Sequence, residues 1–219
     1  MKLVKSSVHL LNPVSYETAL ETLAYAGRTC YLSYRVDSSD KDANEKFIRG
    51  IIKSGHESVI EHVSVTASVV TSRDVTHQIV RHRIGAYSQE SQRYCNYTEE
   101  KFNNEIIFIE PLWFQTASSA AKLELKEFLT KCENTYFMLI ENEDLKPEQS
   151  RKVLPNATKT KLIMTYNLRE CRHFFKQRCF GHADPEIKVV ATKLLINMYS
   201  KYPAIFEDLY FEKMEETKG

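Results

Sequence analysis

The 219-residue sequence has no apolar run long enough for a signal peptide or a membrane span, so it predicts a cytoplasmic protein with no membrane partner. It has no C-x-x-C pair either. Its five cysteines (Cys30, Cys95, Cys132, Cys171 and Cys179) are odd in number, which fits neither a disulfide framework nor a zinc ribbon and points to reduced thiols. Only 6 glycines and 6 prolines leave little room for long linkers, and a single domain over residues 1–219 is expected. Surplus charge is also missing. With 30 basic and 29 acidic residues the net charge is +1, so any nucleic-acid reading has to rest on a local patch.

The patterning that is present is mixed. Residues 3–11 are β-branched and alternating, which predicts a strand ended by Asn12-Pro13, and Ser15 caps a helix to about residue 28. A helix is predicted over residues 40–53, where Phe47, Ile48, Ile51 and Ile52 recur at helical spacing and Gly55 is the stop signal. Residues 62–72 alternate at the period of a half-buried strand. Residues 74–83 read as a short helix, with Val75, Ile79 and Val80 on one face and Arg81, His82 and Arg83 in its last turn. A strand follows at 104–110, a long amphipathic helix at 116–141 and a short helical piece at 147–153, while 158–166 fits strand or helix. Helices at 168–179, 184–200 and 204–212 precede a polar tail expected to fray from about residue 213. Strands near the front and helices behind imply an α+β fold, with an antiparallel or mixed sheet packed against several helices and a helix-rich C-terminal half.

One segment concentrates chemistry: Arg81-His82-Arg83-Ile84-Gly85-Ala86-Tyr87-Ser88-Gln89-Glu90-Ser91-Gln92-Arg93-Tyr94. Planar cationic forks beside neutral hydroxyl and amide groups suit a phosphate and a heterocycle, because arginine grips phosphate oxygens bidentately while the neutral groups read a polar ring edge. The plainer use of such arginines is pairing with surface acids or complementing a helix C-terminus.

The pattern Arg81-His82-Arg83, seven residues, Ser91 and then Gln92-Arg93-Tyr94 resembles the signature of the flavin-dependent thymidylate synthases. One position departs: many members carry an acid two residues before the motif serine, where this sequence has Gln89, and the acid here is Glu90. Other segments between residues 56 and 182 are similar to the same family in the expected order. Gly55-His56-Glu57-Ser58-Val59-Ile60-Glu61-His62 resembles its Gly-His-x-Ser/Thr-x-x-Glu-His segment, which implies Ser58 near the flavin and His56 near the active site. Read alone, His56 and His62 could suggest a metal, but a zinc-protease helix needs histidines four apart and these are six apart, so no metal is expected. Arg151, before Val153-Leu154-Pro155, matches an arginine that the family uses on the nucleotide phosphate.

The resemblance implies a flavin set of Ser58, Arg81, His82, Arg83, Gln89, Asn167, Leu168, Arg169 and His173, the last standing where several members have asparagine. It implies a dUMP set of Gln78, Ile79, Val80, Arg81, Gln89, Glu90, Ser91, Gln92, Arg93, Arg151 and Arg178, with Arg178 as the catalytic residue beside the pyrimidine. FAD, NADPH and 5,10-methylenetetrahydrofolate follow as cofactor and co-substrates, and a homotetramer with sites shared between subunits as the assembly.

Thymidylate formation needs electron density at C5 of the uracil ring and then a hydride to complete the methyl group. A cysteine adding to C6 is one route, and Cys179 beside Arg178 invites it. The family resembled here uses reduced flavin instead, which leaves Cys179 a structural role and gives Arg178 the stabilisation of ring charge. Without the family, His173 and His182 read as partly buried, hydrogen-bonded histidines. The rival from another class is a non-catalytic nucleotide- or RNA-binding module, with Tyr87, Tyr94 and Tyr97 as stacking platforms beside the arginines.

Overall fold

The computed structural model describes residues 1–30, 32–33 and 40–216. Its fold is α+β. Four strands, β2 (Ser7–Leu11), β3 (Ser64–Ser72), β4 (Ala86–Gln89) and β6 (Lys159–Asn167), form an antiparallel sheet in the order β2-β3-β6-β4. Two more, β1 (Lys2–Val4) and β5 (Ile107–Ile109), pair in parallel with Leu3 opposite Phe108. The single strand expected over residues 3–11 is thus two strands in different sheets. The β6 segment, which fits either period from sequence, is a strand because Thr160, Leu162, Met164 and Tyr166 are buried at strict alternation.

The described residues fall into two units. The first comprises Met1–Ser7, Val69–Arg81 and Ser88–Leu162. Its centre is the long helix α4 (Ser119–Glu141), started by the Ser118 hydroxyl, which accepts from the Ala121 N–H at 3.2 Å. Leu129 and Tyr136 of this helix pack with Tyr97, Ile106 and Phe108. Buried Glu133 accepts the Ile106 N–H at 2.7 Å, which satisfies a backbone donor that the short strand leaves over. Helix α3 (Arg73–Ile79) and the turn of helix α5 (Pro147–Ser150) complete this unit's helices, and a 3-10 turn, Arg151–Val153, follows α5.

The second unit comprises Val8–Ser68, His82–Tyr87 and Ile163–Gly219. Its helices are α1 (Tyr16–Thr29), α2 (Lys41–Lys53), α6 (Leu168–Arg178), α7 (Pro185–Lys201) and α8 (Pro203–Glu216). Ser15, Asp40, Asn167 and Asp184 supply the N-cap oxygens of α1, α2, α6 and α7. Gly27 lets α1 approach α2 closely, since a Cβ there would sit 2.8 Å from the Phe47 ring and 2.9 Å from Ile51. On the sheet, the Thr66 and Thr165 hydroxyls bond across β3 and β6 at 2.9 Å.

Two expectations need correction. The tail expected from residue 213 is helical through Glu216, because the Lys213 ammonium donates to the Cys179 carbonyl at 2.7 Å; residues 217–219 lie outside the described ones. The helix expected over 74–83 stops at Ile79, with Val80 as its C-cap, so Arg81, His82 and Arg83 follow the helix and do not form its last turn. The physical reason is tertiary. The Tyr87 hydroxyl donates to the His82 carbonyl, and Gly85 lies so close to Tyr166 that a Cβ would be 2.4 Å from its ring.

Candidate active site

In the second unit, helix α6 and the segment His82–Tyr87 meet at a buried imidazole. His82 is 7% exposed, with the ring of Phe174 at 4.9 Å edge-on and that of His173 at 5.8 Å. Its Nδ1 lies 3.3 Å from a carboxylate oxygen of buried Glu170, and its Nε2 accepts from the Nε of Arg178 at 3.0 Å. Burial, then the charge of Arg178, then His173 push the His82 pKa down to about 4, so the ring is neutral at physiological pH. Burial pushes the Glu170 carboxyl up. Behind the ring, the Tyr87 and Tyr166 hydroxyls share a 2.6 Å bond.

Glu170 and Tyr166 are absent from the residues that the sequence nominates. The available signal was the i, i+3 spacing of Glu170 and His173 on one helix, invisible as a site until His82 arrives from elsewhere in the chain. His82, Glu170 and His173 each offer a potential metal-ligand atom within 4.8 Å of one another. However, the Arg178 guanidinium occupies one His82 nitrogen, and its positive charge opposes a second cation there.

The remaining flavin nominees of this unit differ in availability. His56 and Ser58 are exposed, Ser58 within a 3-10 turn, Glu57–His62, whose Glu57 receives Arg172 at 3.0 Å and Lys176 at 3.2 Å. Burial works to raise the Glu57 carboxyl, but Arg172 and then Lys176 outweigh it and hold it below the ordinary range. Arg172 is itself buried and also grips Asp208 at 2.6 Å. Asn167 spends its carbonyl oxygen on the Glu170 N–H at 2.8 Å, and Arg169 pairs with Glu61 at 2.5 Å. Leu168 belongs to the core: its side chain is fully buried and its N–H is donated to the Val63 carbonyl. His173 and His182 are both exposed, not partly buried as the sequence suggests. Cys179 is fully buried, and burial pushes its thiol up to about 12, overriding any help from neighbouring cations.

The dUMP nominees, Arg178 apart, lie in the first unit. Ile79 is fully buried, Gln78 and Val80 half-buried. The Gln89 amide donates to the Thr76 and Thr160 hydroxyls at 2.9 and 3.3 Å, which leaves its carbonyl oxygen as the open group. Glu90 is held by Lys159 at 2.7 Å and by the Tyr97 hydroxyl at 3.3 Å, in a cavity of about 210 Å³ that none of the motif arginines lines. Ser91 opens a turn in which its carbonyl accepts the N–H groups of Tyr94 and Cys95. Arg93 pairs with Glu148 at 3.5 Å. Gln92 is buried with its amide nitrogen unpartnered, and so is the hydroxyl of Ser150, next to half-buried Arg151.

The arginines therefore divide. Arg93, Arg169 and Arg172 have carboxylate partners, whereas among the described residues no acid pairs with Arg81, Arg83, Arg151 or Arg178. An α+β chain with cations that no acid neutralises, and with unpartnered buried donors in its first unit, has the equipment of an enzyme for an anionic, hydrogen-bonding substrate. Residues 14–204 match the family model described as thymidylate synthase complementing protein. The flavin-dependent thymidylate synthase of Geobacter sulfurreducens is 36% identical over 194 residues, covering 85% of this chain and 80% of the relative. That of Mycobacterium tuberculosis is 35% identical over 198 residues, covering 84% and 77%. The chain belongs to the family of flavin-dependent thymidylate synthases. Its fold is also that of a solved UMP/dUMP methylase, PolB from Streptomyces cacaoi bound with 5-Br dUMP, at a TM-score of 0.76 and 22% identity over 94% of this chain and 96% of that one.

Proposed function

We propose that this protein forms dTMP from dUMP, with 5,10-methylenetetrahydrofolate as one-carbon donor, FAD as the bound cofactor and NADPH as the source of electrons. The observation that carries the reading is that, among the described residues, no acid neutralises the four family-matched arginines Arg81, Arg83, Arg151 and Arg178, in a chain whose charge is otherwise balanced. Guanidinium groups that no acid neutralises suit the phosphates of a nucleotide and of FAD, whose oxygens they grip bidentately.

The donor set fits a flavin nucleotide. Arg81, Arg83 and the exposed Ser58 hydroxyl offer donors for its phosphates and ring edge, and Asn167, Arg169, His173 and His82 complete the flavin set; Leu168 would contribute only through its backbone carbonyl. FAD, once reduced, supplies the hydride that completes the new methyl group. For dUMP, Ser91, Arg93 and Arg151 hold the phosphate, while Gln78, Ile79, Val80 and the unpartnered Gln92 amide border the nucleotide. The open carbonyl of Gln89, and not the neutralised Glu90 carboxylate, takes the place of the usual motif acid.

Arg178 stabilises the negative charge that the uracil ring carries as C5 becomes nucleophilic, by donating toward N3 and its neighbouring carbonyl oxygen. The buried, protonated thiol of Cys179 supports a route without cysteine addition. His56 borders the site. The assembly is a homotetramer in which residues 78–83 and 89–93 serve dUMP from different subunits. No described helix is long and apolar enough to cross a membrane, and we place the protein in the cytoplasm.

The visible spectrum of the purified protein is the first test: a flavin band released on denaturation is expected. Turnover of dUMP to dTMP that depends on FAD, NADPH and methylenetetrahydrofolate is the second. A protein that stays colourless after purification with FAD, forms no dTMP and binds long RNA with steep salt dependence would be the rival binding module.

A further inference from the structure

We propose that Glu170 is a positioning residue for this reaction: acting through His82, it fixes the orientation of the Arg178 guanidinium and leaves the outer fork of that group for the substrate. The inference rests on the reading above, in which Arg178 faces the reacting ring. It adds a residue that lies outside the flavin and dUMP sets.

The place of each proton follows from valence. The Nε of an arginine carries a hydrogen and only donates, so the His82 Nε2 at 3.0 Å must present a lone pair. A neutral imidazole has one N–H, which is then on Nδ1, facing the Glu170 carboxylate at 3.3 Å. The chain reads one way, Arg178 to His82 to Glu170. Among the described residues, no other side chain hydrogen-bonds the guanidinium, so the imidazole alone sets its plane. Glu170 and Arg178 stand eight residues apart on α6, and His82 bridges them from outside that helix. The Glu170 backbone is fixed in the first turn of α6, where its N–H donates to the Asn167 side chain at 2.8 Å, and the side chain itself is buried. The remaining groups facing His82 are the rings of His173, Phe174 and Tyr166.

Glu170→Gln keeps the shape and removes the constraint. A glutamine amide both donates and accepts, so it can meet either tautomer, including the one whose Nε2–H opposes the Arg178 N–H. The test uses the full chain loaded with FAD, its histidines labelled with nitrogen-15. In the wild type, His82 is expected to carry its proton on Nδ1 at neutral pH, and in Glu170→Gln the two tautomers should mix. Turnover of dUMP should fall about 10- to 100-fold, the scale of losing an orienting partner, with the KM for dUMP changing by less than about threefold. In an Arg178→Lys background the same change should cost less than about twofold, because a residue that works through Arg178 has nothing left to orient.

Should Glu170→Gln fail to fold, Glu170→Asp decides: a carboxylate shorter by one methylene should keep the Nδ1 proton and most of the rate, which a purely space-filling role would not. A wild-type proton on Nε2, a Glu170→Gln rate within about twofold of wild type, or an additive penalty in the Arg178→Lys background would each overturn the role of Glu170 alone. Absence of dTMP formation by the wild type would instead overturn the functional reading, and the tautomer measurement stands apart from it.

Discussion

The first unit leaves buried donors without partners, while the second locks its nominated site residues to neighbours. In the second, the important side chains are locked to one another: Glu170 to His82 to Arg178, and Arg172 to Glu57 and Asp208. In the first, buried donors are left over, the Gln92 amide nitrogen and the Ser150 hydroxyl, near positions nominated for the nucleotide. The motif of fourteen residues is divided between the two, since Arg81 and residues 88–94 lie in the first unit and residues 82–87 in the second. Locked groups suit developing charge in a transition state, where preorganisation is worth most; unsatisfied donors suit a ground-state ligand that completes them.

That contrast breaks most visibly at Arg178. Arg178→Ala should lower dTMP formation by about 10²- to 10³-fold in kcat, as loss of a preorganised donor to a charged ring does. Unfolding by urea should show a loss of about 1–2 kcal/mol, the cost of leaving the buried His82 Nε2 without its donor. Retention of the wild-type rate with dUMP bound would remove Arg178 from the chemistry.

A structural lock in the same unit gives the next largest effect. Arg172→Ala leaves Asp208 without its partner, Glu57 with Lys176 alone and the Ile205 carbonyl without its donor, and should cost about 3 kcal/mol of stability in urea denaturation. Burial works against the Asp208 charge, but Arg172 holds its carboxyl below the ordinary range, as it does that of Glu57. The stability these two acids contribute is present above their ordinary pKa values and is lost as pH falls through the lowered ones. The variant should therefore show a weaker loss of stability in acid.

His82 carries a pH dependence of its own. Its folded pKa of about 4 lies below the ordinary 6.5, so the unfolded chain takes up a proton that the folded chain refuses. Stability is full above pH 6.5 and declines toward pH 4, by on the order of 3 kcal/mol. Glu170, with its carboxyl pushed up, acts in the opposite sense, so wild type compared with His82→Gln isolates the imidazole. A pH profile of Tm that is identical in the two would count against a neutral buried His82.

The first unit should answer more gently. Ser91→Ala is expected to raise the KM for dUMP about tenfold and leave kcat within about twofold, the signature of lost uniform binding. A collapse of kcat would make Ser91 part of the chemistry and erase the contrast between the units.

Much of this was legible in residue order, and the reasons for the rest are physical. Elements with their own period and caps were readable: α1 and α2 behind Ser15 and Asp40, and β3 from its alternation. Strand β4 was missed because its four residues lie inside the motif and have no alternation long enough to register. The helix expected across Arg81 to Arg83 failed because nothing local stops it; Tyr87 and Tyr166, distant in sequence or downstream, do. In the candidate site, the arginines were visible as a cluster, but which ones are neutralised by acids was not. Arg169 meets Glu61 and Arg172 meets Glu57 across more than a hundred residues.

By itself the sequence determined the α+β class, the family and the kinds of side chain available, because those depend on periodicity and on residue types at fixed spacing. Only the tertiary structure decided which cations stay open, that Cys179 is a buried thiol, and that Glu170 stands behind His82 and Arg178. Ion pairing, burial and hydrogen-bond direction are set by neighbours in space, and those neighbours come from segments that the linear order keeps far apart.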